Sequence, residues 1–276
     1  MLTNKFKINY SIGSVANGIK TDSFTFFLLF FYSNIIGLKP SLAGLAIFIA
    51  LCVDAITDPL MGTISDRTKS SLGRRHPYML ISFIPMSLGY VFLFAPRQDW
   101  DMSQNDLFVW MTIFTILTRI GMTLFDIPHR AFGGEVTKNY KERTLLMSWR
   151  EMVGWVAGLS NAFLGYGIFF ASTPEYPQGQ LNPDAWFPFA VTGAIFMILS
   201  VLYSSLSTKD EIKSLSKWSG SISLMDILKE LKIAVGNKSF LIFFFGNLFL
   251  SLAWGLANTL TLFVNTYFWE FEATQI

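Results

Sequence analysis

Long apolar stretches separated by polar connections dominate the pattern of this chain. Seven of them reach the length of a membrane-spanning helix, which is about 20 residues for a hydrocarbon layer of about 30 Å. The predicted spans lie at 10–36, 41–64, 77–95, 107–129, 146–171, 186–206 and 239–268. The pattern therefore predicts an all-α integral membrane protein.

The charges of the connections alternate along the chain. One set is basic and contains Lys5, Lys7, Arg67, Lys69, Arg74, Arg75, Lys138, Lys141, Arg143 and a run of lysines from 209 to 238. The other set contains few basic residues and is acidic around Asp99, Asp101 and Asp106. Because cytoplasmic loops are enriched in Lys and Arg, the pattern predicts a multi-pass protein of the plasma membrane, or inner membrane if bacterial, with a cytoplasmic N-terminus.

The connection at 207–238 is the longest polar stretch of the chain. Within it, the segment 223–233 has the pattern of an amphipathic helix on the cytoplasmic face, opened by a serine cap. We expect three parts: a six-helix bundle over 1–206, this connecting segment over 207–238, and a seventh span with a polar end over 239–276. Six spans, a long basic connection and a further span are typical of transporters built from two six-helix halves, so we expect a partial chain.

Composition agrees with a membrane protein, since 52% of the residues are hydrophobic and only 14% are charged, against about 25% in soluble domains. The net charge of +2 comes from topological lysines and arginines, so we expect no nucleic-acid partner. Cys52 is the single cysteine, which excludes an intramolecular disulfide. The partners expected are the bilayer and a small-molecule substrate, and we expect a monomer.

Two acidic residues lie four positions apart in the second predicted span. Asp54 and Asp58 therefore project from one helix face, separated by about 6 Å along the axis. Buried like charges repel, so a cation or a basic side chain must neutralise them, or one must hold a proton. This pattern predicts a site for a coupling ion, sodium or a proton, whereas the alternative is a structural ion pair with Lys20, Arg119 or Arg150.

A second charged pair links the fourth and fifth spans. Asp126 precedes Pro128, which predicts a kink, and Arg150 begins the next span. A carboxylate and a guanidinium that face one cavity can together bind a polyhydroxylated ligand. The alternative is a salt bridge between the two spans, and both arrangements can alternate during a transport cycle.

Enzymatic activity has no support in the sequence, which contains no nucleophile and base pair, phosphate loop or metal-ligand spacing. We expect no cofactor and no metal beyond the coupling ion. His76 and His129 lie near basic clusters, where we expect interfacial anchors.

The motif after the second span, Gly62-Thr-Ile-Ser-Asp66-Arg67-Thr-Lys-Ser-Ser-Leu-Gly73-Arg74-Arg75-His-Pro, resembles the major facilitator loop signature in its glycoside-pentoside-hexuronide:cation symporter form. Gly62 is expected to allow close helix packing, Asp66 to pair with a basic group or cap a helix, and Arg74 and Arg75 to anchor the interface. Two further segments, 135–144 and 236–240, resemble the same family, so the resemblance covers the whole chain.

The resemblance is strongest to the family's melibiose permease-like branch and implies a major facilitator fold with the first helix of its second bundle. It implies that Asp54 and Asp58 bind the coupling cation, with Thr57 and Thr123 contributing. It places Asp126 and Arg150 at substrate-binding positions, to which we add Lys20 and Asp22 in span one. The residues implied in the conformational loop are Gly62, Asp66, Arg67, Gly73, Arg74 and Arg75.

Two positions depart from that branch. Its substrate-binding acid in span one aligns with Gly18, one turn before Asp22, and a tryptophan of span four aligns with Arg130. The resemblance therefore implies sodium- or proton-driven symport of a sugar or glycoside, with cation coupling better supported than sugar identity. Two alternatives stay open: a carrier of lysophospholipids or other amphiphiles, and a membrane component without transport activity.

Overall fold

The computed structural model describes residues 2–210, 233 and 235–271. Six of its helices are long and apolar enough to cross a membrane. They are α4 (Pro40–Arg67), α5 and α6 (His76–Ile81 and Phe83–Leu93), α7 (Gln104–Glu135), α8 (Tyr140–Leu164) with a π-helical end (Gly165–Phe169), α9 (Trp186–Ser207) and α10 (Lys238–Tyr267). We number these as spans two to seven. The described residues are helical with short connections, which confirms the all-α prediction.

Span one has more interruptions than the other spans. It consists of α1 (Asn4–Ile12), α2 (Ser14–Asp22), a π-helical segment (Ser23–Phe27), α3 (Leu28–Phe30) and a second π-helical segment (Phe31–Ile35). It contains a turn at Gly13 and the charged residues Lys20 and Asp22, and it is not among the six apolar helices. π-helical turns are rare and concentrate at functional sites, and here one begins directly after Asp22.

The predicted spans agree in number and order with these helices, but several helices extend further than predicted. Span four begins at a capping box, in which the Ser103 hydroxyl accepts from the Asp106 backbone amide and the Asp106 carboxylate accepts in return. It continues without interruption through Pro128 to Glu135. The predicted connecting helix at 223–233 lies outside the described residues.

The core at one end of the bundle is a cluster of aromatic rings around Trp186, which is fully buried. Rings from spans one, three and five lie with their centroids within 6.2 Å of it, and they belong to Phe27, Phe30, Phe31, Phe94 and Phe170. The indole N–H donates to the Gln180 carbonyl at 3.2 Å, so the polar atom of this side chain is satisfied. Rings from spans one, three and five thus pack against the start of span six.

At the other end of the bundle, two histidines are buried. His129 stacks on Tyr10 at 4.1 Å between ring centroids, and its Nε2 lies 3.1 Å from the Tyr10 carbonyl oxygen. His76 lies edge-on to Phe132 and 3.2 Å from the Thr208 hydroxyl. The prediction that His76 and His129 are interfacial anchors is therefore wrong, because both rings join spans to one another inside the bundle.

Spans one and five approach so closely that their backbones touch. A Cβ placed on Gly18 would lie 2.1 Å from the carbonyl oxygen of Gly154, and the facing residue one turn later is Gly158. Small residues at such a crossing allow helices to pack tightly in lipid. The absence of a side chain at position 18 is thus required by packing in this conformation.

We predict that Gly18→Ala destabilises the protein by about 1–3 kcal/mol, the usual cost of overpacking a rigid contact. The measurement is thermal unfolding of the detergent-solubilised protein. Gly44→Ala is the matched control, since no atom of the described residues outside its own stretch of helix lies within 4 Å of a Cβ built there. An unfolding temperature for Gly18→Ala at or above that of the control would contradict the prediction.

Candidate functional site

The two acidic residues of span two lie against span four, and each has a different partner there. Asp54 forms a salt bridge with Arg119, in which the guanidinium Nη1 donates to the carboxylate Oδ2. Asp58 accepts a hydrogen bond from the Thr123 hydroxyl at 2.6 Å. Arg119 and Thr123 are themselves one turn apart, so the two contacts form successive rungs between the spans.

Thr57 does not join these rungs. Its hydroxyl lies 3.5 Å from the Asp54 backbone carbonyl of its own helix. Such bonding within a helix satisfies a threonine hydroxyl without a neighbouring span. The structure therefore brings together Asp54, Asp58 and Thr123 of the predicted cation site.

Two basic side chains converge on one aromatic ring beside this site. The Arg119 guanidinium carbon lies 5.3 Å from the centroid of Phe24, and Lys20 Nζ lies 5.9 Å from the same ring. Such distances permit cation–π attraction. Phe24 belongs to the first π-helical segment, so span one contributes to the surroundings of Asp54.

The salt bridge between spans four and five, the alternative to a ligand-binding pair, is present in this conformation. Asp126 accepts from Arg150 through Oδ1 and from Arg130, 2.6 Å away, through Oδ2. Arg150 also donates to Glu151 at 2.6 Å. Its side chain is 1% exposed, and such a buried guanidinium needs charge partners. The cluster therefore contains two acids and two bases.

Asp22 lies apart from these ion pairs, in a network of neutral groups. It accepts a hydrogen bond from the Asn161 amide at 2.8 Å, and that amide also lies 3.3 Å from the Ser23 hydroxyl. Ser23 is in turn 2.6 Å from the Tyr90 hydroxyl. This series of hydrogen bonds joins spans one, three and five. The carboxylate of Asp22 is therefore stabilised by neutral polar groups and not by a basic side chain.

A cavity of about 270 Å³ opens beside Asp22, between spans one, five and seven. Its polar lining includes Asn17, Asp22, Glu151 and Asn258, and its apolar lining includes two indole rings, Trp155 and Trp254. Carboxylates, amides and indoles in one cavity suit a ligand with both hydroxyl groups and apolar faces.

The loop after span two is held by charges from span four. Arg75 donates to Asp66 and to Glu135, both at 2.7 Å, and Arg74 donates to Glu135 at 2.5 Å. This confirms the expectation that Asp66 pairs with a basic group. Arg75 is buried, so the loop packs against the ends of spans two and four.

The two glycines of this loop differ in what they require. Gly73 has φ of +75°, which favours glycine. Among the described residues outside its own helix, a Cβ on Gly62 would meet Ile127 alone, at the ordinary distance of 3.8 Å. The expected close packing at Gly62 is therefore wrong for this conformation. Arg67 is exposed at the end of span two, and its predicted role in the loop stays a prediction.

Sequence reasoning did not assign Asn161, Glu151, Trp155, Trp254, Asn17 or Asn258 to a site. Three of them are amides within predicted spans, where a polar side chain needs a partner or a cavity, and that signal was available. The tryptophans carried no such signal, since an indole is common at a lipid-facing surface.

Comparison with known proteins places this arrangement in a family. The family model described as MFS/sugar transport protein matches residues 9–276. The putative glycoside/cation symporter YagG of Escherichia coli is 29% identical over 237 residues, which cover 86% of this chain and 49% of that protein. The chain belongs to the glycoside-pentoside-hexuronide:cation symporter family of the major facilitator superfamily.

Other relatives in the family differ in what their names record. The uncharacterized symporter sll1374 of Synechocystis is 32% identical over 213 residues, 75% of this chain and 38% of that protein. A sodium-dependent lysophosphatidylcholine symporter of Danio rerio is 29% identical over 179 residues, 63% of this chain and 32% of that protein. The chain thus spans half or less of the length of these curated relatives.

We predict that Arg150→Gln and Asp126→Asn each destabilise the protein by about 3 kcal/mol, because each leaves a charge without its buried partner. The double variant should lose less than the sum of the two, which a double-mutant cycle of denaturant unfolding would measure.

The matched control is Arg97→Gln, whose 3.7 Å pair with Asp184 joins two mostly exposed side chains, so we expect at most about 0.5 kcal/mol. Strict additivity at positions 126 and 150 would mean that the two side chains do not stabilise each other.

Proposed function

We propose that this protein is a secondary active transporter that couples the uptake of a sugar or glycoside to a cation by alternating access. Family membership supports symport in general. The observation that carries the finer proposal is the cavity between spans one, five and seven, because its carboxylates and amides lie beside two indole rings.

The cavity suits a sugar for chemical reasons. Sugar hydroxyls both donate and accept hydrogen bonds, so they match the carboxylates of Asp22 and Glu151 and the amides of Asn17 and Asn258. The apolar faces of a sugar ring pack on indole surfaces such as Trp155. The volume lies near the lower end of ligand pockets, about 300 Å³, which favours a substrate of one or two sugar units.

Asp126 and Arg150 lie behind the wall of this cavity. Glu151 lines the cavity and accepts a hydrogen bond from Arg150. A substrate hydroxyl that bonds to Glu151 competes with that contact. Binding would therefore be relayed to the salt bridge between spans four and five, and Arg150 and Asp126 act in substrate binding by this route. Lys20 lies on the same span as Asp22 and extends toward the ion site.

The acids of span two would carry the coupling ion. Loading of an ion changes the charge between spans two and four, and by linkage an ion that favours substrate binding is itself bound more tightly with substrate present. The loop pairs of Arg75 with Asp66 and Glu135 would break and reform as the two halves rock.

We further propose that the basic connections face the cytoplasm, that the protein resides in the plasma membrane or the inner membrane of a bacterium, and that it acts as a monomer without cofactor or enzymatic activity.

A lysophospholipid carrier is the second candidate. It is favoured by the name of the zebrafish relative and by the exposed apolar side chains of span five, Trp155, Leu159 and Phe163. The polar lining of the cavity favours the sugar.

The test is uptake into membrane vesicles that contain the natural protein, with glycosides, pentosides, hexuronides and lysophosphatidylcholine offered under an imposed sodium or proton gradient. Gradient-driven accumulation of a sugar compound would support the proposal. Accumulation of the lipid alone would support the second candidate, and the absence of flux for the whole panel would contradict both.

We predict that Asp58→Asn lowers gradient-driven accumulation about tenfold or more. The amide has no negative charge to bind a cation, and it does not take up a proton. Exchange of labelled for unlabelled substrate without a gradient should persist in this variant. Ser71→Asn, at an exposed position of the following loop, is the control. Unchanged ion dependence in Asp58→Asn would exclude the span-two site.

We predict that a cysteine at Ser70, introduced with Cys52→Ser, reacts with a membrane-impermeant maleimide only after the cells are permeabilised. A cysteine at Gln98 in the same background should react in intact cells. Both positions are exposed. The reverse result would place the N-terminus outside.

A further inference from the structure

The two acids of span two are unequal, and the difference comes from Arg119. Asp54 already has a guanidinium on its Oδ2, whereas the hydrogen-bond partner of Asp58 among the described residues is the neutral Thr123 hydroxyl, at 2.6 Å. Arginine stays protonated at every physiological pH. Asp54 is therefore neutralised by a cation that is covalently part of the protein.

Two protein bases lie near the two acids. The acids Asp54 and Asp58 face two bases, Arg119 from span four and Lys20 from span one, and both bases lie near the ring of Phe24. The side chain of Arg119 is 12% exposed and that of Asp54 is 20% exposed, so water screens this pair little. A sodium ion placed between the two acids would lie against a guanidinium that repels it.

The oxygen ligands for a metal cation are also reduced. Hard cations are held by several oxygens at once. Asp54 Oδ2 accepts from Arg119, Asp58 Oδ1 accepts from Thr123, and the Thr57 hydroxyl lies against its own helix. Asp54 Oδ1 is buried without a hydrogen-bond partner among the described residues, so one inward-facing oxygen of Asp54 stays free. A proton needs a single oxygen, so these contacts hinder the binding of sodium more than that of a proton.

The groups that face Asp58 come from three elements. Thr123 of span four donates to Asp58, and Asp54 lies one turn away on the same helix. Arg119 and Asp126 lie about one turn on either side of Thr123, and Lys20 of span one lies with Arg119 near the ring of Phe24. The π-helical segment Phe31–Ile35 also packs against span two. Its titratable side chain, Tyr32, donates its hydroxyl hydrogen to the Leu93 carbonyl at 2.8 Å, and that bond is made to span three.

We propose that Arg119 is the ion-selectivity residue of this transporter: it acts as a tethered cation on Asp54, excludes sodium, and leaves a proton on Asp58 as the coupling ion. The inference rests on the proposed symport. The proton binds the Asp58 carboxylate from one side of the membrane and is released to water on the other, with no covalent change elsewhere.

The first experiment measures sodium binding without any substrate. The purified protein is unfolded thermally in sodium chloride and in choline chloride of equal ionic strength, since a ligand that binds the folded state raises the unfolding temperature. The wild-type protein should unfold at the same temperature in both salts. Arg119→Gln should unfold at a higher temperature in sodium, and Arg119→Lys, which keeps the charge, should again show no difference.

The second experiment measures transport in vesicles. A proton gradient should drive accumulation of substrate by the wild-type protein about tenfold or more, with loss of accumulation on addition of a protonophore. A sodium gradient at constant pH should have no effect. In Arg119→Gln, a sodium gradient should stimulate accumulation.

Stabilisation of the wild-type protein by sodium, or uptake driven by a sodium gradient, would overturn the inference while leaving symport intact. Arg119→Gln that folds and stays indifferent to sodium would overturn the role of Arg119. If the variants at position 119 do not fold, the wild-type comparison decides, because sodium-indifferent, proton-driven uptake that is lost in Asp58→Asn supports the inference. Uptake that is independent of both gradients would instead defeat the proposed function.

Discussion

The high free-energy cost of an unpaired charge in a low-dielectric environment explains how the spans of this protein are connected. Span four carries Arg119 and Asp126, and each is paired with an opposite charge on a different neighbouring span. Span two is thereby tied to span four through Asp54, and span five through Arg150. The helices that carry the candidate site residues are therefore also the helices that these side chains hold together.

This double role explains why the charges interact in pairs and small clusters. An acid that binds a transported ion must lose its protein partner or share it. The contact of Arg150 with both Asp126 and Glu151 and the hydrogen bond from Thr123 to Asp58 leave such exchanges open. Apolar side chains supply the stability that does not change, above all the rings around Trp186 at one end of the bundle.

The fold could be predicted largely from hydropathy, because a span of about 20 apolar residues leaves a helix as the only local solution in lipid. The salt bridge of Asp126 with Arg150 was also among the expected alternatives, since few opposite charges were available. The partner of each charged residue could not be predicted, because it depends on how each helix is rotated about its axis. The sequence placed Lys20, Arg119 and Arg150 as equal candidates for Asp54, and only the packing of spans two and four selects Arg119. The burial of His76 and His129 similarly depends on which rings meet at the end of the bundle.

Asp126 lies between two arginines, one on its own helix and one on span five. Arg130 is half exposed and Arg150 is buried. Asp126 therefore lies between an exposed base and a buried one. The carboxylate contacts both guanidiniums at once, one through each oxygen. If Arg150 moved away, span five would lose its ion pair with span four, while Asp126 would keep a charge partner on its own helix.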